Sequence, residues 1–89
     1  MYKLLVLLTI MYKINVQLSR EYMKIAENIK FNRKALGLTQ EKLANLLNGK
    51  KSLISNYENG HSTPDIYTLI KLADIFQITL DELVGRNFK

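Results

Sequence analysis

From Lys24 onward, apolar residues recur at helical spacing, and the pattern is broken at only a few points: Gly37, Asn48-Gly49, Gly60 followed by Pro64, and Gly85. Apolar positions three and four residues apart give a helix one buried stripe, and glycine or proline at the breaks ends it. The chain is thereby confined to a run of short helices. Ile25, Ala26, Ile29, Arg33 and Leu36 trace the first, which ends at Gly37, a natural left-handed C-terminal position. Thr39 is placed to cap the second, with Leu38 and Leu43 as a hydrophobic staple and Leu43, Ala44, Leu46 and Leu47 as the buried stripe. A third helix, about 51 to 59, buries Ile54 and Tyr57. Asp65 can cap a fourth, whose core side is Ile66, Leu69, Ile70, Leu72, Ala73 and Phe76. The fifth opens with a capping box, Thr79-Leu-Asp-Glu82, flanked by the staple pair Ile78 and Leu83, and stops at Gly85. The expected fold class is all-α, five helices over residues 23–89.

Residues 1–22 follow a different rule. Tyr2, Leu4, Val6, Leu8, Ile10, Tyr12, Ile14, Val16 and Leu18 occupy successive even positions, the period of a strand. Lys13 interrupts the segment as a membrane span, leaving less than the ~20 apolar residues required. No small-residue cleavage site follows it, so a secretory signal is not expected either. A strand of this length reaches about 55 Å at ~3.3 Å per residue, whereas the remaining domain is only about 25 to 30 Å across. One reading makes it a dimerisation arm that pairs with its twin, since a lone strand exposes an aggregation-prone edge. The competing reading takes Met23 as the natural start and residues 1–22 as an upstream extension with no selected role.

The 89 residues suffice for one domain with a modest core. There are no cysteines, which removes disulfides, thiolate metal sites and a cysteine nucleophile, and favours the cytoplasm. The sole histidine, His61, lies in a Gly-His-Ser-Thr-Pro loop with no carboxylate before it, so no metal or cofactor is expected. The net charge of +5 is concentrated in residues 23–60, where seven Lys/Arg face three Glu; residues 61–89 are net −1 and the first 22 net +2. A basic middle suits a polyanionic partner, although scattered surface lysines give the same sum.

Two helices joined by a short turn, with a small residue in the first so that the second can cross closely, form a helix-turn-helix unit. Ala44 is that small residue, and Asn48 falls at the turn, where asparagine tolerates a left-handed backbone. "LGLTQEKLA", "ISNYENG", Pro64 and "LIKLADIFQITLDELVG", in this helix order, resemble the lambda-Cro and phage-repressor type of helix-turn-helix domain, also called the XRE family. The resemblance runs from about residue 25 to 85 and implies a domain that binds double-stranded DNA as a homodimer, with its third helix in the major groove.

Carried over residue by residue, the family's base-reading positions fall on Lys51, Ser52, Ser55 and Asn56, with Lys50 at the helix entrance. Their chemistry suits the role: lysine donates to guanine O6 and N7, asparagine pairs with adenine N6 and N7, and serine serves either partner. A solvated helix face is the bland alternative. Phosphate-contacting positions fall on Gln40 and Asn59, with Lys42, His61 and Lys34 as weaker candidates. Arg33 and Glu58 stand where the family often places an ion pair tying the first helix to the third. In two respects the chain departs from the pattern. Asn48, Gly49 and Lys50 replace a Gly-Val pair followed by a capping Ser or Thr, so an apolar anchor and a helix cap are both missing; Leu53 is expected to fill the vacated volume.

The functional expectation is a sequence-specific transcriptional regulator, a repressor of phage, mobile-element or bacterial origin, regulated through concentration, dimerisation or a partner protein. An enzyme is not expected: there is no phosphate-cradling glycine loop and no plausible Ser/His/Asp set, and Asp81 and Glu82 are explained by capping. The rival reading is a protein-binding module, an antitoxin or scaffold using the same fold.

Overall fold

Local capping chemistry sets the helix boundaries. The computed structural model describes residues 24–86; the strand or arm expected within residues 1–22 lies outside them. The described residues form five helices and no strand: α1 over residues 24–35, α2 Gln40–Leu46, α3 Lys51–Glu58, α4 Ile66–Phe76 and α5 Leu80–Val84. The all-α, five-helix expectation is met.

The expected caps form. Thr39 Oγ1 accepts from the Lys42 amide at 3.1 Å, and Thr79 Oγ1 accepts from the Glu82 amide at 3.1 Å. Glu82 returns the favour by accepting from the Thr79 amide at 3.4 Å, completing the capping box. Each threonine cap contributes about 1 kcal/mol. Asp65 Oδ1 accepts from the Thr68 amide at 2.8 Å, and this bond holds its carboxyl below the usual carboxylate range. At the other ends, Gly37 adopts φ 70 after α1, whereas α4 closes on Gln77 at φ 57, where a β-carbon is strained.

Every helix contributes to one core. Ile29 of α1, Leu43 of α2, Ile54 of α3, Leu72 of α4 and Leu83 of α5 are all fully buried, and Tyr57 and Phe76 pack among them. Leu38 and Ile78, the outer members of the two staples, pack against this cluster. Burial pushes the Tyr57 hydroxyl upward, and the nearby Asp65 carboxylate adds to the shift. α5 is further held to α1 by the Asn28 side chain, whose amide donates to the Leu83 carbonyl at 3.0 Å.

Four apolar residues assigned to the core are instead exposed: Leu36, Leu46, Ile66 and Ile70. Leu36 lies past the last helical residue, in the turn that leads to Gly37. Leu46 and Ile70 sit on the flanks of their helices, because Leu43 and Ala44 of α2, with Leu47 just past its end, and Leu69, Leu72, Ala73 and Phe76 of α4, already define stripes narrower than the apolar pattern. Ile66 occupies the first helical position, with no preceding turn of its own helix to cover it.

Candidate nucleic-acid interface

The turn between α2 and α3 is built around Ala44. Its side chain is buried, and its carbonyl accepts from the Gly49 amide at 2.8 Å, which folds the chain back at the end of α2. Asn48 takes the left-handed conformation this reversal requires, at φ 56. α2 and α3 then pack directly on each other. A β-carbon at Gly49 would lie 2.9 Å from Leu53 Cδ2, so the Leu53 side chain occupies the space that a larger residue at position 49 would take. Leu53 is half-buried and packs against the core, as expected of a substitute anchor. Lys50, the N-cap of α3, makes no side-chain capping bond, so the missing cap is not replaced.

α3 is divided lengthwise. Ile54 and Tyr57 face the core, while positions 51, 52, 55, 56 and 59 share the opposite stripe. Lys51, Ser52 and Asn56 are exposed, as is Lys50 beside them. Ser55 is half-buried, and its hydroxyl oxygen accepts from Asn59 Nδ2 at 3.3 Å, leaving the hydroxyl proton available. The Asn56 carbonyl accepts from the His61 amide at 2.9 Å and the Ser62 amide at 3.3 Å, which folds the loop after α3 against the helix end and leaves the His61 side chain exposed. Lys34 on α1 and Lys42 on α2 are also exposed. Such a face presents ammonium, hydroxyl and carboxamide groups on one helix, a set suited to hydrogen-bonding the edges and phosphates of a nucleic acid.

Behind that face lies a network of charge. Arg33 Nε donates to Glu58 Oε2 at 2.7 Å and Nη2 to Oε1 at 3.0 Å, making a two-pronged ion pair between α1 and α3. The remaining guanidinium nitrogen, Nη1, donates to the Leu38 carbonyl at 2.8 Å, at the entrance to α2. The side chains of Arg33 and Glu58 are only 10% and 2% exposed. The hydrogen bond to Glu58 raises the Arg33 pKa further, so the charge persists at every accessible pH. Gln40 joins them: its Nε2 donates to Glu58 Oε1 at 3.3 Å, and the side chain is half-buried rather than free in solvent.

Two of these links were absent from the sequence expectations. The Ser55–Asn59 bond has a local signal, since residues four apart on a helix are neighbours. The Gln40–Glu58 bond joins residues 18 apart and has none. Among the described residues, no cluster of three or more metal-binding side chains occurs, and no helix is long and apolar enough to cross a membrane.

Residues 29–83 match the helix-turn-helix family model. The transcriptional repressor RstR of the cryptic phage CTXphi in Vibrio cholerae is 38% identical over 64 residues, which cover 72% of this chain and 57% of that protein. The transcriptional regulator ImmR of Bacillus subtilis is 34% identical over 65 residues, 73% of this chain and 51% of its own length. The crystal structure of a transcriptional regulator from Listeria innocua superposes with a TM-score of 0.68 at 38% identity, covering 73% of this chain and 61% of the other. The chain thus spans little more than half the length of these two curated relatives. The family match, the relatives and the geometry of the α2–turn–α3 unit agree: the chain belongs to the Cro and phage-repressor (XRE) family of helix-turn-helix domains.

Proposed function

We propose that the protein is a DNA-binding transcriptional regulator, a repressor, that reads an inverted-repeat operator as a homodimer with α3 in the major groove. The observation that carries this reading is the outward stripe of α3, where Lys51, Ser52 and Asn56 are exposed on a helix whose other face is anchored by Ile54 and Tyr57. Lys51 and Asn56 supply the donors and acceptors that distinguish guanine and adenine, with Ser52, Ser55 and Lys50 beside them. Gln40, Asn59, Lys42 and His61 touch phosphates and fix the register without reading sequence. The relatives named as a phage repressor and a transcriptional regulator support the same reading. The reaction is binding alone, it takes place in the cytoplasm, and a regulatory protein partner can act by competing for the dimer or for this face. Two copies of α3 then address half-sites about one helical turn, ~34 Å, apart.

Salt dependence tests the reading. Lys42 is the lysine assigned to a phosphate, so a dimer brings two; at about −0.9 per neutralised phosphate, these contacts alone make log K fall against log salt with a slope near −2. Lys42→Ala lowers that slope while leaving base preference unchanged. Tight binding to another protein with no measurable affinity for duplex DNA at low salt contradicts the proposal and favours an antitoxin or scaffold.

A further inference from the structure

Two carboxamides of the interface are held by side-chain hydrogen bonds, Asn59 by Ser55 and Gln40 by Glu58, and the Gln40 bond leads into the buried ion pair. Gln40 is the first residue of α2, and its carboxamide donates to Glu58 Oε1 at 3.3 Å. That oxygen is itself fixed by Arg33 Nη2 at 3.0 Å, and the other carboxylate oxygen by Arg33 Nε at 2.7 Å. Arg33 also holds the Leu38 carbonyl at 2.8 Å, immediately before the Thr39 cap of α2. One guanidinium therefore fixes both the carboxylate that the Gln40 side chain leans on and the backbone from which α2 departs. Lys42, Lys50 and Lys51, by contrast, are exposed with no hydrogen bond to hold their side chains among the described residues.

We infer that Glu58, clamped by Arg33, is a positioning residue for DNA binding: it holds the Gln40 carboxamide so that its second Nε2 proton is aimed at a backbone phosphate. The inference rests on the reading of this face as a DNA interface. A glutamine amide has two donor protons, and Glu58 engages one of them. Holding the side chain before binding removes the rotamer entropy that a free glutamine would lose on contact. The ion pair thus has two duties, tying α1 to α3 and preparing one phosphate contact.

Two measurements on the full chain test this. The first is nitrogen-15 relaxation of the side-chain amides in the free protein. Gln40 is expected to show restricted motion, well below that of Gln77, which is exposed and has no side-chain hydrogen bond among the described residues. Equal mobility of the two overturns the inference without any variant having to fold. The second uses operator duplexes selected by the wild-type protein and carrying a neutral methylphosphonate at one backbone position at a time. One position in each half-site is expected to cost the wild type about tenfold in affinity, the worth of a hydrogen bond to a charged group. Gln40→Met should be indifferent to substitution there and unchanged at all others. Arg33→Met/Glu58→Leu, which removes the acceptor without stranding the guanidinium, should when assayed well below its melting temperature lose most of the sensitivity at that same position while keeping it elsewhere. Undiminished sensitivity in this double variant, with specific binding intact, overturns the positioning role and leaves the DNA-binding reading standing. Absence of duplex binding by the wild type overturns both.

Discussion

Replacing Arg33 by alanine should bring the domain close to unfolding. The substitution removes three hydrogen bonds, two to Glu58 and one to the Leu38 carbonyl. It leaves a carboxylate whose side chain is 2% exposed with Gln40 Nε2, at 3.3 Å, as its remaining partner. An uncompensated buried charge costs about 3 to 5 kcal/mol. A domain of this size is stable by only about 3 to 9 kcal/mol, so the loss takes up much of the total. Urea unfolding followed by circular dichroism should show the midpoint falling steeply with an unchanged slope. The double variant Arg33→Met/Glu58→Leu should recover most of the loss, because neither partner then leaves a charge in the interior. An Arg33→Ala protein within ~1 kcal/mol of wild type, the value typical of a surface pair, would refute the claim that this pair is buried and coupled.

Other perturbations test separate parts of the structure. Gly49→Ala should cost the wild type little, because its β-carbon meets only the movable far end of the Leu53 side chain at 2.9 Å; a loss of more than ~1 kcal/mol in urea melts would show that Leu53 cannot turn aside. Gln77→Gly should raise stability by about 1 kcal/mol, since glycine relieves the left-handed strain that ends α4, and a lower melting temperature would contradict this. Because burial raises the Tyr57 pKa, its contribution is complete below the ordinary tyrosine value near 10 and is lost as pH rises through the higher folded value. Urea midpoints measured from pH 9 upward should therefore fall more steeply for wild type than for Tyr57→Phe. Asp65 has the opposite sign: its depressed pKa gives stability that is present above the ordinary carboxylate range and lost as pH falls through the folded value, and Asp65→Asn should flatten that acid limb.

Features set by neighbours in sequence were legible in advance. Thr39, Asp65 and the Thr79–Glu82 box cap helices through bonds spanning three residues, and Asn48 adopts the backbone its side chain tolerates. Arg33 and Glu58 lie 25 residues apart and were linked through family resemblance rather than local pattern. What escaped was set by packing. Periodicity identifies residues that share a helix face, but the width of the buried stripe depends on how the neighbouring helices cross, which is why Leu46 and Ile70 turned out exposed. The bond from Asn28 to Leu83 spans 55 residues, and the one from Gln40 to Glu58 joins two polar residues that each looked complete without the other. Gln77 gives no sign of a left-handed stop, because glutamine rarely makes one.

The central claim, that the outward stripe of α3 reads DNA sequence, is tested most directly by selecting bound duplexes from a random pool, with a Lys51→Ala/Asn56→Ala protein run in parallel. Wild type should enrich a palindromic motif with half-sites about one helical turn apart. The double variant should remain folded, since both side chains are exposed, and should lose the motif. Enrichment of the same motif by the variant, or of no motif by the wild type, would contradict the account.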